Sequence, residues 1–241
     1  MRLIRLTPRA ASRRGPLAMA ALMLLVGAVA AVLATVAPSR RAEASAALAV
    51  AAALGLGVGG GTLGRTLRSR SDGGGKDLVG LLAPSLDDSY LLLLHPRLPG
   101  VPRDLEALLV GPPGVRALVV RRWHGRYRVR HNGWEFDAHG AKGWIRCITN
   151  PSFESGAASN AVAGWARGAV NGGTLPIAPA VAFPARQSRL ILEEPDVEVI
   201  TTENVPWWAN RIGRVQRMDA AEVVAFVEAV VQTSRLAANG G

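Results

Sequence analysis

Only one cysteine, Cys147, occurs among the 241 residues, so no intramolecular disulfide can form and nothing here requires an oxidising compartment. Aromatic residues are scarce at 5%, and with 49% hydrophobic residues any core must be built mainly from aliphatic side chains. The 27 glycines and 15 prolines are too few for a collagen-like chain, and no long acidic tail is present. Acidic residues are nearly missing from the first seventy positions, where Glu43 stands alone against ten arginines. That segment carries +9 of the net +10, whereas residues 71 to 241, with 18 basic and 17 acidic groups, carry +1. The basicity therefore belongs to the N-terminal region and is not the footprint of a nucleic-acid-binding domain.

The strongest positive signal is an uninterrupted, uncharged run of 21 residues, Leu17 to Ala37. As a helix rising 1.5 Å per residue it would span about 31 Å, the thickness of a bilayer hydrocarbon core. Residues 38 to 43, which contain Arg40, Arg41 and Glu43, interrupt it, and a second uncharged stretch, 44 to 64, is long enough to cross back. A transmembrane helical hairpin is thus expected, the second helix rich in Ala and Gly. Gly57 and Gly61, like Gly60 and Gly64, stand four apart, a spacing that lets a neighbouring backbone approach closely. The neighbour would be the first helix, or a second copy of the chain in a homo-oligomer. No strand precedes these glycines, so they are not a dinucleotide-binding loop.

Arg2, Arg5, Arg9, Arg13 and Arg14 precede the first run, and Arg65, Arg68, Arg70 and Lys76 follow the second. Positive charge on both outer flanks predicts a multi-pass protein of the cell membrane with both termini cytoplasmic and residues 38 to 43 outside. The expected organisation is a basic N-terminus (1 to 16), spans at 17 to 37 and 44 to 64, a linker (65 to 75), a cytoplasmic domain (76 to 236) and a tail (237 to 241). An alternative treats Ser12, Arg13, Arg14 and Leu17 as a twin-arginine-like export signal cleaved near Ala42-Glu43-Ala44, which leaves the second apolar run unexplained.

From Lys76 onward the chain reads as one α/β domain, a mixed sheet flanked by helices. Lys76 to Ala83 is a short helix stopped by Pro84. Tyr90 to His95, Leu105 to Val110 and Val115 to Arg121 are strands, the last two joined by the turn Gly111-Pro112-Pro113-Gly114. Asn132-Gly133, a favoured centre for a two-residue turn, predicts a hairpin pairing Val129 with Phe136, Arg130 with Glu135 and Arg128 with Asp137, with His131 on the apolar face. Trp144 to Thr149 is extended, Asn150 caps a helix that Pro151 opens and that runs to about Val170, and Pro176 to Phe183 and Val197 to Thr201 are extended. Asp219 caps a final helix to Arg235 with a stripe of Val223, Phe226, Val227, Val230 and Val231.

Other chemistry-bearing residues are weaker. His124, His131 and His139 suit packing or surface roles better than zinc binding, and Ser152 and Ser155 lack the context of a nucleophile. Glu193, Glu194, Asp196 and Glu198 read as a solvated loop and strand edge. Arg116, Arg121, Arg122 and Arg126, interleaved with Trp123 and Tyr127, could follow a phosphate backbone. The near neutrality of the domain favours instead Arg116 and Arg122 as outward, solubilising charges with Trp123 packed.

The succession LLLLHPRLPG from Leu91, LEALLVGPPGVRALVVRR from Leu105, then Gly125, Trp134 and the helix-opening pair Asn150-Pro151, and an apolar run ending at Phe183, resembles the nuclease-related domain (NERD) family. The similarity covers roughly residues 75 to 215, about three fifths of the chain. It implies a restriction-endonuclease-like fold and a site in which one strand carries an Asp, the strand after the turn a Glu-x-Lys, the preceding helix a Glu, and an Asn-Pro-x-x-Gln motif its Gln. Position by position, these fall on Glu106, on Val119 and Arg121, near Lys76, and on Glu154. Metal-dependent phosphodiester cleavage needs hard oxygen ligands. Val119 offers none, and Arg121 stays protonated at physiological pH, able to hold a phosphate but not to act as a base.

Taken together, these features predict a membrane-anchored, catalytically inactive domain, a binding or structural module needing no metal or cofactor, whose partner is the lipid bilayer and whose protein or nucleic-acid partner the sequence leaves open. The rival expectation is a membrane-tethered nuclease using Mg²⁺ held by Glu106 and Asp104.

Overall fold

Arg2–Arg5, inside the segment assigned by charge to a basic N-terminus, is a strand (β1). It pairs in parallel with Leu91–Leu94 (β2), in the register Arg2 to Leu91 through Arg5 to Leu94. This computed structural model describes residues 1–6, 73–102, 104–138, 143–170 and 174–239. The two apolar runs at 17 to 37 and 44 to 64, the loop between them and His139 lie outside the described residues. Among the described residues, no helix is long and apolar enough to cross a membrane. One compact unit takes in Met1–Pro8 together with Gly74–Gly241.

After a helix, Gly73–Leu82 (α1), which starts three residues earlier than Lys76, β2 leads into Ala107–Gly111 (β3) and Gly114–Val120 (β4) as an antiparallel meander. Every residue of β3 and β4 is buried, the apolar side chains as expected of strands covered on both faces and Arg116 through its pairing with Glu198. Gly114 makes the turn between them possible. Its φ of +112° is unfavourable for other residues, and a Cβ there would come within 2.4 Å of the Pro176 carbonyl oxygen.

Pro151–Ala169 (α2) crosses over one face to Ile177–Phe183 (β8), which runs parallel to β4, and Glu198–Thr201 (β10) runs parallel to β8. The six-stranded mixed sheet has the order β1-β2-β3-β4-β8-β10. Pro179 sits in β8 beside Ala117 of β4, one residue before β10 joins the other side at Ala180, so its missing N–H costs the sheet no ladder bond to β10.

Alternation divides the sheet's side chains between two cores. On one face Leu92, Leu109, Leu118 and Ile200 meet α1 and a further helix, Val205–Gly213 (α3). On the other, Leu93, Leu108 and Ala117 meet α2 and Ala220–Asn239 (α4). The α4 stripe is as the sequence predicts, with Phe226 and Val230 fully buried and Val231 partly so. Asp219 and Glu222 cap it reciprocally, each backbone N–H donating to the other's carboxylate at 2.8 Å. The described residues therefore form an α/β domain, a mixed sheet with helices on both faces.

A four-stranded sheet in the order β7-β6-β5-β9 packs against Val181 and Phe183 of β8 and Val199 of β10. It is formed by Gly125–Arg130 (β5), Gly133–Asp137 (β6), Trp144–Arg146 (β7) and Ser188–Glu193 (β9). The β5–β6 pairing is shifted by two residues from the sequence expectation, with the turn moved back by one: Val129 faces Trp134, Arg128 faces Glu135 and Arg130 faces Gly133. His131 and Asn132 thus make the turn, with His131 at φ +50° and its side chain 61% exposed, not on the apolar face. Burial outweighs turn preference here. Val129 and Trp134 enter a core with Val181, Phe183 and Val199, and β9 fixes β5 from its other side.

Candidate functional site

The polar cluster of the domain gathers where β4 ends. Beyond Val120, the Arg121 amide still donates to the Ala182 carbonyl of β8, which holds Arg121 and Arg122 just past the sheet. Glu106 precedes β3 at the same level, its amide donating to the Leu118 carbonyl and its own carbonyl accepting from His95. Asn150 caps α2 by accepting from the Ser152 and Phe153 amides at 3.0 and 3.3 Å, which places Glu154 in the first turn. The Asn150 side chain also donates to the Asn132 carbonyl, and Trp134 donates to Ser152 Oγ at 2.8 Å, fastening the helix start to the β5–β6 hairpin.

These elements bring three carboxylates against two guanidinium groups. Arg121 is ion-paired with Glu154, and Arg122 pairs with Glu106 at 2.9 Å and with Asp77 of α1 at 3.5 Å. The side chains of Arg121 and Glu154 are 17% and 26% exposed. Arg121 also donates to the Val120 carbonyl and lies 6.0 Å from the centroid of the Trp123 ring. Burial pushes its guanidinium below the ordinary arginine range, with Asp104 and Glu106 opposing that shift. It remains charged, because the arginine reference lies so far above neutrality.

Of the positions the resemblance singles out, Glu106, Arg121 and Glu154 come together, and Val119 is fully buried with no atom to offer a ligand. The acid contributed by α1 is Asp77, beside the expected position at Lys76. Besides Glu106, the matched position Glu154 brings a carboxylate and Asp77, outside the matched positions, adds another. Asp104 is exposed, and both it and Glu106 precede β3. Among the described residues, no group of three or more His, Cys, Asp or Glu side chains is arranged to hold a metal ion.

The arginine series does not form one stripe. Arg116 is only 9% exposed, buried against Glu198 and the Pro113 carbonyl at the opposite end of β4, not outward in solvent. Arg126 pairs with Asp137 at 3.6 Å, Arg128 with Glu135, and Arg130 with Glu193. Trp123 packs against Trp134 and Phe183, as the neutral domain charge suggested. Glu198, expected in a solvated edge, instead accepts from Arg116 and from Trp208 Nε1. Sequence reasoning missed the partners of Arg116 and Arg130 because they are distant in sequence: 82 positions separate Arg116 from Glu198 and 63 separate Arg130 from Glu193.

The fold and this cluster define an α/β domain with an arginine–carboxylate site at one end of its mixed sheet. No family model, curated protein or solved structure matches the chain.

Proposed function

We propose that this is a membrane-anchored protein whose NERD-like, restriction-endonuclease-like domain is catalytically inactive and serves as a binding or structural module. The observation that carries this reading is the pairing of Arg121 with Glu154 and of Arg122 with Glu106 and Asp77. A Mg²⁺ ion needs anionic oxygens free to turn toward it, and here the positive charge facing those oxygens is already supplied by guanidinium groups that cannot give up a proton. With Val119 supplying no ligand, the residues present do not fit a divalent cation.

Support for the family reading lies in the order of elements: a helix with an acid, a strand after Glu106, the Gly-Pro-Pro-Gly turn, a strand running to Arg121, and a helix opened by Asn150-Pro151. The pairing of residues 2–5 with β2 is compatible with an anchor whose two ends lie on one side. Cleavage near residue 42 would remove that strand, which speaks against the export reading.

The test is incubation of the full-length protein, in detergent or nanodiscs, with single- and double-stranded DNA and RNA and either Mg²⁺ or Mn²⁺. Substrate should remain intact. Metal-dependent cleavage that disappears in Glu106→Ala would contradict the proposal and establish a tethered nuclease.

A further inference from the structure

The strand directions place one end of the domain on the side from which the chain runs to its apolar segments. The Leu6 amide donates to the Leu94 carbonyl at the C-terminal end of β2, so residue 6 leaves the sheet there. Helix α1 begins at the same end, since a Cβ on Gly75 would meet the Leu94 side chain at 2.7 Å. Glu106, Arg121 and Glu154 occupy this end too. Ten residues, 7 to 16, separate it from the first apolar run and eight, 65 to 72, from the second. Even fully extended these reach about 35 and 28 Å, so on the anchor reading this is the end of the domain within reach of the bilayer.

Among the described residues, four large apolar side chains are more than 60% exposed: Ile148 at 103%, Leu236 at 73%, Trp207 at 65% and Phe153 at 62%. Three of them stand at this end. Phe153 precedes Glu154, Ile148 lies two residues before the cap of α2, and Leu236 follows Ser234, whose hydroxyl accepts from the Arg97 amide just beyond β2. Trp207 lies on α3, against Arg211. Arg97 and Arg235 are exposed at the same end and form no ion pair among the described residues.

We propose that this end docks on the anionic surface of the bilayer, with Ile148, Phe153 and Leu236 entering the headgroup layer and Arg97 and Arg235 near lipid phosphates. Exposed apolar side chains with flanking cations suit such a surface, where apolar burial and attraction to anionic lipid add together. The Glu106–Arg122 and Glu154–Arg121 pairs then lie at the membrane side of the domain. The inference rests on the anchor reading, and the experiment separates the two.

In a Cys147→Ser background, full-length Ile148→Cys, Phe153→Cys and Leu236→Cys proteins are labelled with bimane and reconstituted into vesicles containing phosphatidylglycerol and doxyl-labelled lipid. Val224→Cys, on the part of α4 near the Pro112 turn at the far end, is the control. Loss of fluorescence at the three positions but not at Val224 is expected, weakened in wholly zwitterionic vesicles and in Arg97→Glu/Arg235→Glu. Protein that floats with the vesicles yet shows no difference between the three positions and the control overturns the docking while sparing the anchor. Protein that fails to float overturns both. Contact between labels on two protein copies in place of quenching by lipid assigns the face to self-association and overturns the proposal.

Discussion

Replacing Glu154 by Gln tests how the arginine–carboxylate site is held. Glu154 Oε2 is a buried atom with no hydrogen-bond partner besides the ion pair to Arg121. With the carboxylate gone, a guanidinium only 17% exposed keeps the Val120 carbonyl and the more distant fields of Asp104 and Glu106. Breaking a fully buried pair costs about 3 to 5 kcal/mol, and the partial exposure here reduces that to about 1 to 3. For a domain of this size, that is a fall in melting temperature of about 3 to 10 °C. Arg121→Leu should cost a similar amount, because it leaves the Glu154 carboxylate buried without its partner. The double variant should return to within about 1 kcal/mol of the parent, since removing both charges relieves both desolvation penalties. Melting of the full chain in detergent, followed by tryptophan fluorescence, reads all three. Single variants that melt with the parent protein would refute the reasoning, as would a double variant whose loss is the sum of the two.

Other expectations follow from the sheet and from its buried acids. The Arg2 and Leu6 amides both donate to β2, so alternation points the Ile4 N–H inward as well and the Leu3 N–H to solvent. Ile4→Pro should therefore destabilise the domain by about 3 kcal/mol and open it to proteolysis, while Leu3→Pro should cost much less; equal effects would argue against this register. Burial pushes the Cys147 thiol and the Tyr90 phenol above their ordinary ranges. Both groups are neutral in the fold, so their contribution is complete below the unfolded-state values and is lost as pH rises through the folded ones. Stability should fall at alkaline pH, and Cys147→Ala together with Tyr90→Phe should flatten that limb of a pH–melting curve. For the same reason a maleimide should modify Cys147 more slowly in the native protein than in urea.

How much of this was written in the sequence depends on the range of the interaction. The strands β2, β3, β4 and β8 and the helices α2 and α4 were legible because apolar runs, Asn150, Pro151 and Asp219 mark them locally. β1 was not, since Arg2-Leu3-Ile4-Arg5 becomes a strand only by pairing with residues almost ninety positions away. Nor was β9, whose mixed Ser-Arg-Leu-Ile-Leu-Glu sequence needs β5 beside it, nor α3, nine residues long. The hairpin register failed by two residues because Asn132-Gly133 is a local cue, whereas burial of Val129 with Trp134 is a tertiary one. At the site, Glu106 and Arg121 could be placed from the turn between their strands. The role of Arg122 could not, because its partners Asp77 and Glu106 lie 45 and 16 residues earlier.

Titration of the full-length protein with Mn²⁺ in zwitterionic nanodiscs, with free Mn²⁺ followed by electron paramagnetic resonance, bears most directly on whether guanidinium groups stand where a nuclease would keep a cation. The pairs made by Arg121 and Arg122 predict no saturable site, both in the parent protein and in Glu106→Ala. One Mn²⁺ bound per chain, and lost on Glu106→Ala, would show that the carboxylates are free to hold a metal.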